Sequence, residues 1–211
     1  MSTMSNIDTK VIFGIPLGVT TVSDSVCKEL KHVSSKAVYQ GSPAEEIDET
    51  TFNVLHNNLE LKKDIIKIFS IWANEVLKIN NQKWAMTTNW ITENTEGQAM
   101  LQHVHMNCMF SAVIYFDKTA EDHPPLELLN PHVLDFAFLI GGNGTNMFNA
   151  ESYSAPHGKG VMIMFPAFLK HGHETFKSKI NRRSFACNFF PIGKFGYRDS
   201  TIDTNWLSYD E

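Results

Sequence analysis

The sequence predicts a mainly β domain of the α+β class, in which helices from the N-terminal third support an antiparallel sandwich or barrel. Three observations carry this. Before about residue 83, apolar residues recur at helical spacing. From Trp84 onward the period falls to two. The short apolar runs that follow are separated by Gly, Pro and Asn turn signals. Helices followed by a run of strands fit an all-β core with helical support better than a βαβ alternation. A chain of 211 residues suits one domain over 1–211, with helical support over about 1–83, a β core over about 84–193 and a tail over 194–211.

Each element has its own signal. Lys10 to Val22 is apolar and β-branched and reads as a strand or extended segment broken by Gly14, Pro16 and Gly18. Ser23 to Lys31 reads as a short helix capped by Ser23 or Asp24. Ser35 to Thr51 is polar and reads as a loop. Leu59 to Ile79 carries the strongest helical stripe: Leu61, Ile65, Ile66, Phe69, Trp72, Ala73, Val76 and Leu77. Trp84, Met86, Thr88 and Trp90 then alternate along a strand. Further strands are expected at Phe110–Phe116, Leu126–Leu129, Val161–Phe165 and Ser184–Phe190. Turns fall at His123-Pro124-Pro125, Asn130-Pro131, Gly141-Gly142-Asn143-Gly144 and His157-Gly158-Lys159-Gly160.

Composition narrows the function. The net charge is −5, and basic residues form no cluster beyond Lys62-Lys63 and Arg182-Arg183, which argues against a nucleic-acid surface. No apolar run reaches the roughly 18–20 residues of a membrane span, and the N-terminus lacks a secretory pattern. Cys27, Cys108 and Cys187 read as reduced thiols of a cytoplasmic protein, Cys187 in the core. The Asn143-Gly144-Thr145 acceptor pattern is then accidental, the glycine-rich 141–144 stretch is a turn, and His123 and His132 are surface residues.

The chemistry concentrates in histidines. His103 and His105 are two apart, so on a strand both imidazoles share one face and can converge on a metal ion. The pair reads equally as one satisfied interior histidine and one solvent-facing. A third donor could come from His171, which follows an apolar strand and a proline, with His173 as its rival. Arg182, Ser184, Ala186 and Asn188 share a face if their segment is a strand. An arginine and a serine so spaced suit a carboxylate, or a surface ion pair. Ser111 and Tyr115 share another strand face, for core packing or for contact with a small ligand.

Taken in order, these features resemble the 2-oxoglutarate/Fe(II) oxygenases, in particular a phage and bacterial branch, and more distantly the prolyl 4-hydroxylases. The match is carried by Asn89-Trp90, Gly97-Gln98, His103-x-His105-x-Asn107, Ser111 to Tyr115 and Asn130-Pro131. It continues through Phe165-Pro166-Ala167-Phe168-Leu169-x-His171 and Arg182-x-Ser184-x-x-x-Asn188. The resemblance implies a double-stranded β-helix (jelly roll, cupin-like) and an iron(II) centre on His103, His105 and His171. It also implies that Arg182, helped by Ser184, holds the far carboxylate of 2-oxoglutarate, with Ser111, Tyr115 and Asn188 nearby. Arg183 would face the other way, and a slip of one residue would exchange the two arginines. Where prolyl 4-hydroxylases have Asp, this chain has His105. The implied reaction converts 2-oxoglutarate to succinate and CO2 while an organic substrate is hydroxylated, with ascorbate as an optional accessory. The resemblance leaves the prime substrate open and is compatible with a homodimer and, for a viral protein, with the host cytoplasm.

Two other readings stand beside this one. A three-histidine cupin-type dioxygenase would split a small substrate without 2-oxoglutarate, and would have no use for Arg182 and Ser184. A non-enzymatic jelly-roll protein would hold a metal for stability, in a site closed by protein ligands.

Overall fold

A computed structural model describes residues 14–42, 47–79, 82–131, 146–147 and 149–207. The start of the Lys10–Val22 segment, His132, the 141–144 turn and the Asn143-Gly144-Thr145 pattern lie outside these residues. In chain order the elements are β1 (Gly18–Thr21), α1 (Asp24–Lys36), β2 (Tyr39–Ser42), β3 (Ile47–Thr50) and α2 (Leu59–Glu75). They continue with β4 (Lys83–Asn94), β5 (Met100–His103), β6 (Phe110–Ile114), β7 (Glu127–Leu129) and β8 (Ser152–Ser154). The series ends with β9 (Val161–Pro166), β10 (His171–His173), β11 (Arg182–Ile192), β12 (Lys194–Phe195) and β13 (Ile202–Asp203).

Two antiparallel sheets face each other. The larger runs β1-β9-β6-β11-β4-β3-β2 and the smaller β5-β10-β7-β8. This is the expected double-stranded β-helix with helical support. One core fills the space between the helices and the outer face of the larger sheet. Its centre is Phe69 of α2, fully buried, stacked on Phe189 at 4.0 Å and edge-on to Trp84 at 5.0 Å. The second core lies between the sheets and contains Leu126, Leu128, Ala155, Ile163, Phe165 and Leu169. Alternation along β9 divides the labour: Met162 and Met164 join the helix-side core, while Ile163 and Phe165 face the interior.

Several expectations change. Helix α1 is capped by Ser23, whose hydroxyl accepts from the Val26 N–H, but it runs on past Lys31 to Lys36 because Leu30 and Ser34 continue its buried stripe. Helix α2 stops at Glu75, and Val76 is exposed. The polar segment Ser35–Thr51 is not a loop at its described residues, 35–42 and 47–51. After α1 it forms the β2–β3 hairpin, which adds to the sheet edge where Asp48 and Glu49 pair with Glu93 and Thr92. An edge strand buries little apolar area, so polarity hid it. The tail also carries the small β12–β13 ribbon.

Strand β4 departs from the alternation read along Trp84, Met86, Thr88 and Trp90. Asn188 pairs with Thr88 but Phe189 pairs with Met86, so Thr87 is an extra residue, a β-bulge. Trp84 and Met86 therefore share the helix-side core with Ile91, while Trp90 turns to the other face.

Candidate active site between the two sheets

His103 ends β5 and His171 begins β10, and the two are direct partners across that antiparallel pair. His105 follows His103 in extended chain, anchored by its backbone N–H to the Ala167 carbonyl at 3.0 Å. The ring centroids lie 4.4 Å apart for His103 and His171, and 5.0 Å for His105 with either partner. One nitrogen from each ring falls within 4.8 Å of the others, the only such cluster of metal-ligating side chains among the described residues.

The donor chemistry suits a divalent metal ion. The Nδ1–H groups of His103 and His171 reach the carbonyls of Leu101 and Leu169, each at 2.8 Å. This fixes the tautomer that offers Nε2 inward. Burial pushes the imidazoles of His105 and His171 down to about 4 and about 3, with the charge of His103 adding to both shifts. Both rings are therefore neutral donors near pH 7, as a ligand must be. His105 also stands edge-on to Trp90 at 5.5 Å.

Gly172 brings the two histidine-bearing strands β5 and β10 together. A Cβ at this position would stand 2.6 Å from the Met100 carbonyl oxygen. His173, the rival donor, is not in the cluster. It is buried, its Nδ1–H goes to the Glu174 carbonyl at 2.8 Å, and its Nε2 has no partner.

Arg182 and Arg183 take opposite faces of β11. Arg183 forks onto Glu93 at 2.8 and 2.9 Å, near the Tyr39 ring. Arg182 is 2% exposed and lies between the rings of Tyr115 and Phe176 at 5.3 and 5.5 Å. Its Nη1 donates to the Pro124 carbonyl and its Nε has no partner. Burial lowers its pKa, though the guanidinium stays charged. The remaining residues of this floor bond to one another. The Ser184 and Thr92 hydroxyls are 2.8 Å apart, and the Ser111 hydroxyl donates to Asn188 Oδ1 at 2.8 Å. Asn188 Nδ2 in turn donates to Thr88 at 2.9 Å.

His123 is not a surface residue. It is 2% exposed, accepts from the Ala120 N–H at 3.3 Å and donates to the Ile180 carbonyl at 2.8 Å. A neutral imidazole with its proton on Nε2 satisfies both bonds. It pins the segment that supplies the Pro124 carbonyl. Asn94, opposite Arg182 on β4, drew no notice in the sequence. Only the strand register reveals that it faces Arg182.

A family model described as "Putative 2OG-Fe(II) oxygenase" matches residues 88–188. No curated protein matches the sequence. Among solved structures, the chain is similar to a Pseudomonas putida prolyl-4-hydroxylase, with 11% identity and a TM-score of 0.57, over 85% of this chain and 94% of that one. It is also similar to the viral collagen prolyl hydroxylase of Paramecium Bursaria Chlorella virus-1, solved with 2-oxoglutarate. There the identity is 13% and the TM-score 0.54, over 82% and 94% of the two chains. A third similarity is to HygX from Streptomyces hygroscopicus, solved with nickel, 2-oxoglutarate and hygromycin B. It has 10% identity and a TM-score of 0.55, over 87% and 86%. At these identities the structural likeness speaks for the fold. No helix among the described residues is long and apolar enough to cross a membrane.

Proposed function

We propose that the chain is a 2OG-Fe(II) oxygenase, as the family model matching residues 88–188 supports, in which His103, His105 and His171 hold iron(II), with 2-oxoglutarate as co-substrate for the hydroxylation of an organic substrate. The observation that carries this is one interior holding two things at once: three converging imidazoles, and a buried guanidinium with an unpartnered Nε. Three protein donors would hold the ion without closing its coordination sphere. When bound, the iron supplies the oxidative chemistry, which releases succinate and CO2 from 2-oxoglutarate.

The chain's own residues do the rest. Leu101 and Leu169 carbonyls orient two of the ligand rings. Arg182 supplies a fixed positive charge at the other end, walled by Tyr115 and Phe176 and held by Pro124. The inner face of the larger sheet excludes water with Phe165 and Ile163. Trp90 stands edge-on to His105, and Phe52, 60% exposed, packs on Trp90 ring to ring at 5.6 Å. They offer an apolar wall where an organic substrate can approach.

A prolyl-4-hydroxylase and a protein solved with hygromycin B share this fold, so the prime substrate is not read from the likeness. A three-histidine dioxygenase without 2-oxoglutarate is the competing reading, favoured by His105 where a carboxylate is usual. The test is anaerobic calorimetry of 2-oxoglutarate into the iron(II)-loaded protein, followed by admission of oxygen. Binding and oxygen-dependent succinate formation are expected. Iron binding without any 2-oxoglutarate binding would leave the three-histidine alternative standing.

A further inference from the structure

Arg182 and Asn94 face each other as direct partners on β11 and β4. Alternation puts both side chains on the interior face, the face marked one step along by the Thr92–Ser184 hydroxyl pair. Asn94 is 0% exposed, and neither its amide nitrogen nor its oxygen has a partner. Beside it, Arg182 keeps an unbonded Nε while its Nη1 is spent on Pro124. Buried polar groups are almost always bonded. Two adjacent exceptions, one of them a fixed cation, mark the place of an anionic hydrogen-bond acceptor.

We propose that Asn94 is a second carboxylate-holding residue, donating its amide N–H to the distal carboxylate of 2-oxoglutarate while Arg182 donates from its Nε edge. The inference rests on the co-substrate assignment above. Arginine grips a carboxylate with two parallel N–H groups. With Nη1 turned to Pro124, the edge bearing Nε remains for the ligand. A carboxylate oxygen has lone pairs to spare beyond that grip, and the Asn94 amide meets one of them.

The neighbouring groups are poorer candidates. Ser184 already shares its hydroxyl with Thr92. His173 also buries an unpartnered nitrogen, but its Nδ1–H is given to the Glu174 carbonyl. The remaining Nε2 of the neutral ring carries a lone pair, which a carboxylate repels. Asn94 is an uncharged donor left directly opposite Arg182, and the Tyr115 hydroxyl beside the guanidinium is the other. The consequence is selectivity. The pocket recognises an oxo acid by its second carboxylate, and pyruvate, which has the same chelating end but no distal group, gains nothing from Asn94.

The test titrates 2-oxoglutarate and pyruvate separately into anaerobic iron(II)-loaded parent, Asn94→Leu, Asn94→Ser and Arg182→Ala proteins. Asn94→Leu should weaken 2-oxoglutarate about 10- to 100-fold, the span of one charge-assisted hydrogen bond. Pyruvate should stay within about twofold. Asn94→Ser, smaller and still a donor, should fall between parent and Leu, and it serves if the Leu variant misfolds. Parent-like 2-oxoglutarate binding in both Asn94 variants, with binding lost in Arg182→Ala, overturns the role of Asn94 and leaves the co-substrate assignment intact. Equal weakening of pyruvate and 2-oxoglutarate also overturns it, since Asn94 would then act through the fold or the metal end. Parent-like binding in Arg182→Ala removes the assignment itself.

Discussion

At the scale of single residues, His105 stands where the resemblance to the prolyl 4-hydroxylases leads one to expect Asp, and a neutral ring in place of a carboxylate would leave the proposed metal site one charge more positive. His103→Ala and His171→Ala should each abolish iron binding, measured by metal content and calorimetry. His105→Asp should retain it. His105→Ala binding iron as tightly as the parent would exclude His105 as a ligand. For the arginines, Arg182→Ala should cost about 1.5–3 kcal/mol of 2-oxoglutarate affinity, and Arg183→Ala little, since its partner is Glu93. The reverse order in calorimetry would reject the placement. The imidazoles also predict a pH response. Burial holds His105, His171 and His173 at about 4, 3 and 4, against 6.5 in the unfolded chain. The unfolded state therefore takes up protons that the folded state refuses. The stabilisation is complete above about pH 6.5 and is lost as pH falls toward 4–3. Thermal melts of the metal-free protein should show Tm falling through that window. A flat profile would mean that the rings are hydrated.

At the scale of elements, the sequence made some features legible and hid others for physical reasons. The i, i+2 histidines and the Arg-x-Ser spacing were legible because extended chain turns spacing directly into a shared face. The parity of β4 was hidden, since the Thr87 bulge is a property of the pairing with β11 and not of β4 itself. The β2–β3 hairpin was hidden because its stability comes from backbone bonds to a neighbour rather than from apolar side chains. His123 looked like a surface residue because it flanks prolines, yet both ring nitrogens are bonded in the interior. Gly172 shows how an element can govern the site without touching it. An alanine there meets the backbone of β5, so Gly172→Ala must push β10 away and carry His171 from His103. A loss of roughly 1–3 kcal/mol in stability, together with weaker iron binding, is expected from denaturant melts and metal titration. Unchanged metal affinity would show that the strands can shift without moving the ligands.

At the scale of the whole molecule, the two cores have separate tasks. The helix-side core around Phe69 holds the larger sheet as a rigid floor, and the interior core leaves room at one end for polar groups. The helical stripe of α2 announced the first core plainly. The second could only be guessed, because its residues come from strands distant in sequence. That distance bears on kinetics. The His103–His171 pairing joins β5 to β10 across the intervening β6, β7, β8 and β9, and contacts closing so long a stretch of chain tend to form late in folding. A metal ion seated there would act as a clasp on a seam expected to shut late. Added iron(II), kept anaerobic, should therefore slow unfolding in proportion to site occupancy and leave the refolding rate nearly untouched. Stopped-flow measurements at several metal concentrations would reveal the opposite, an early seam, as a refolding rate that climbs with iron.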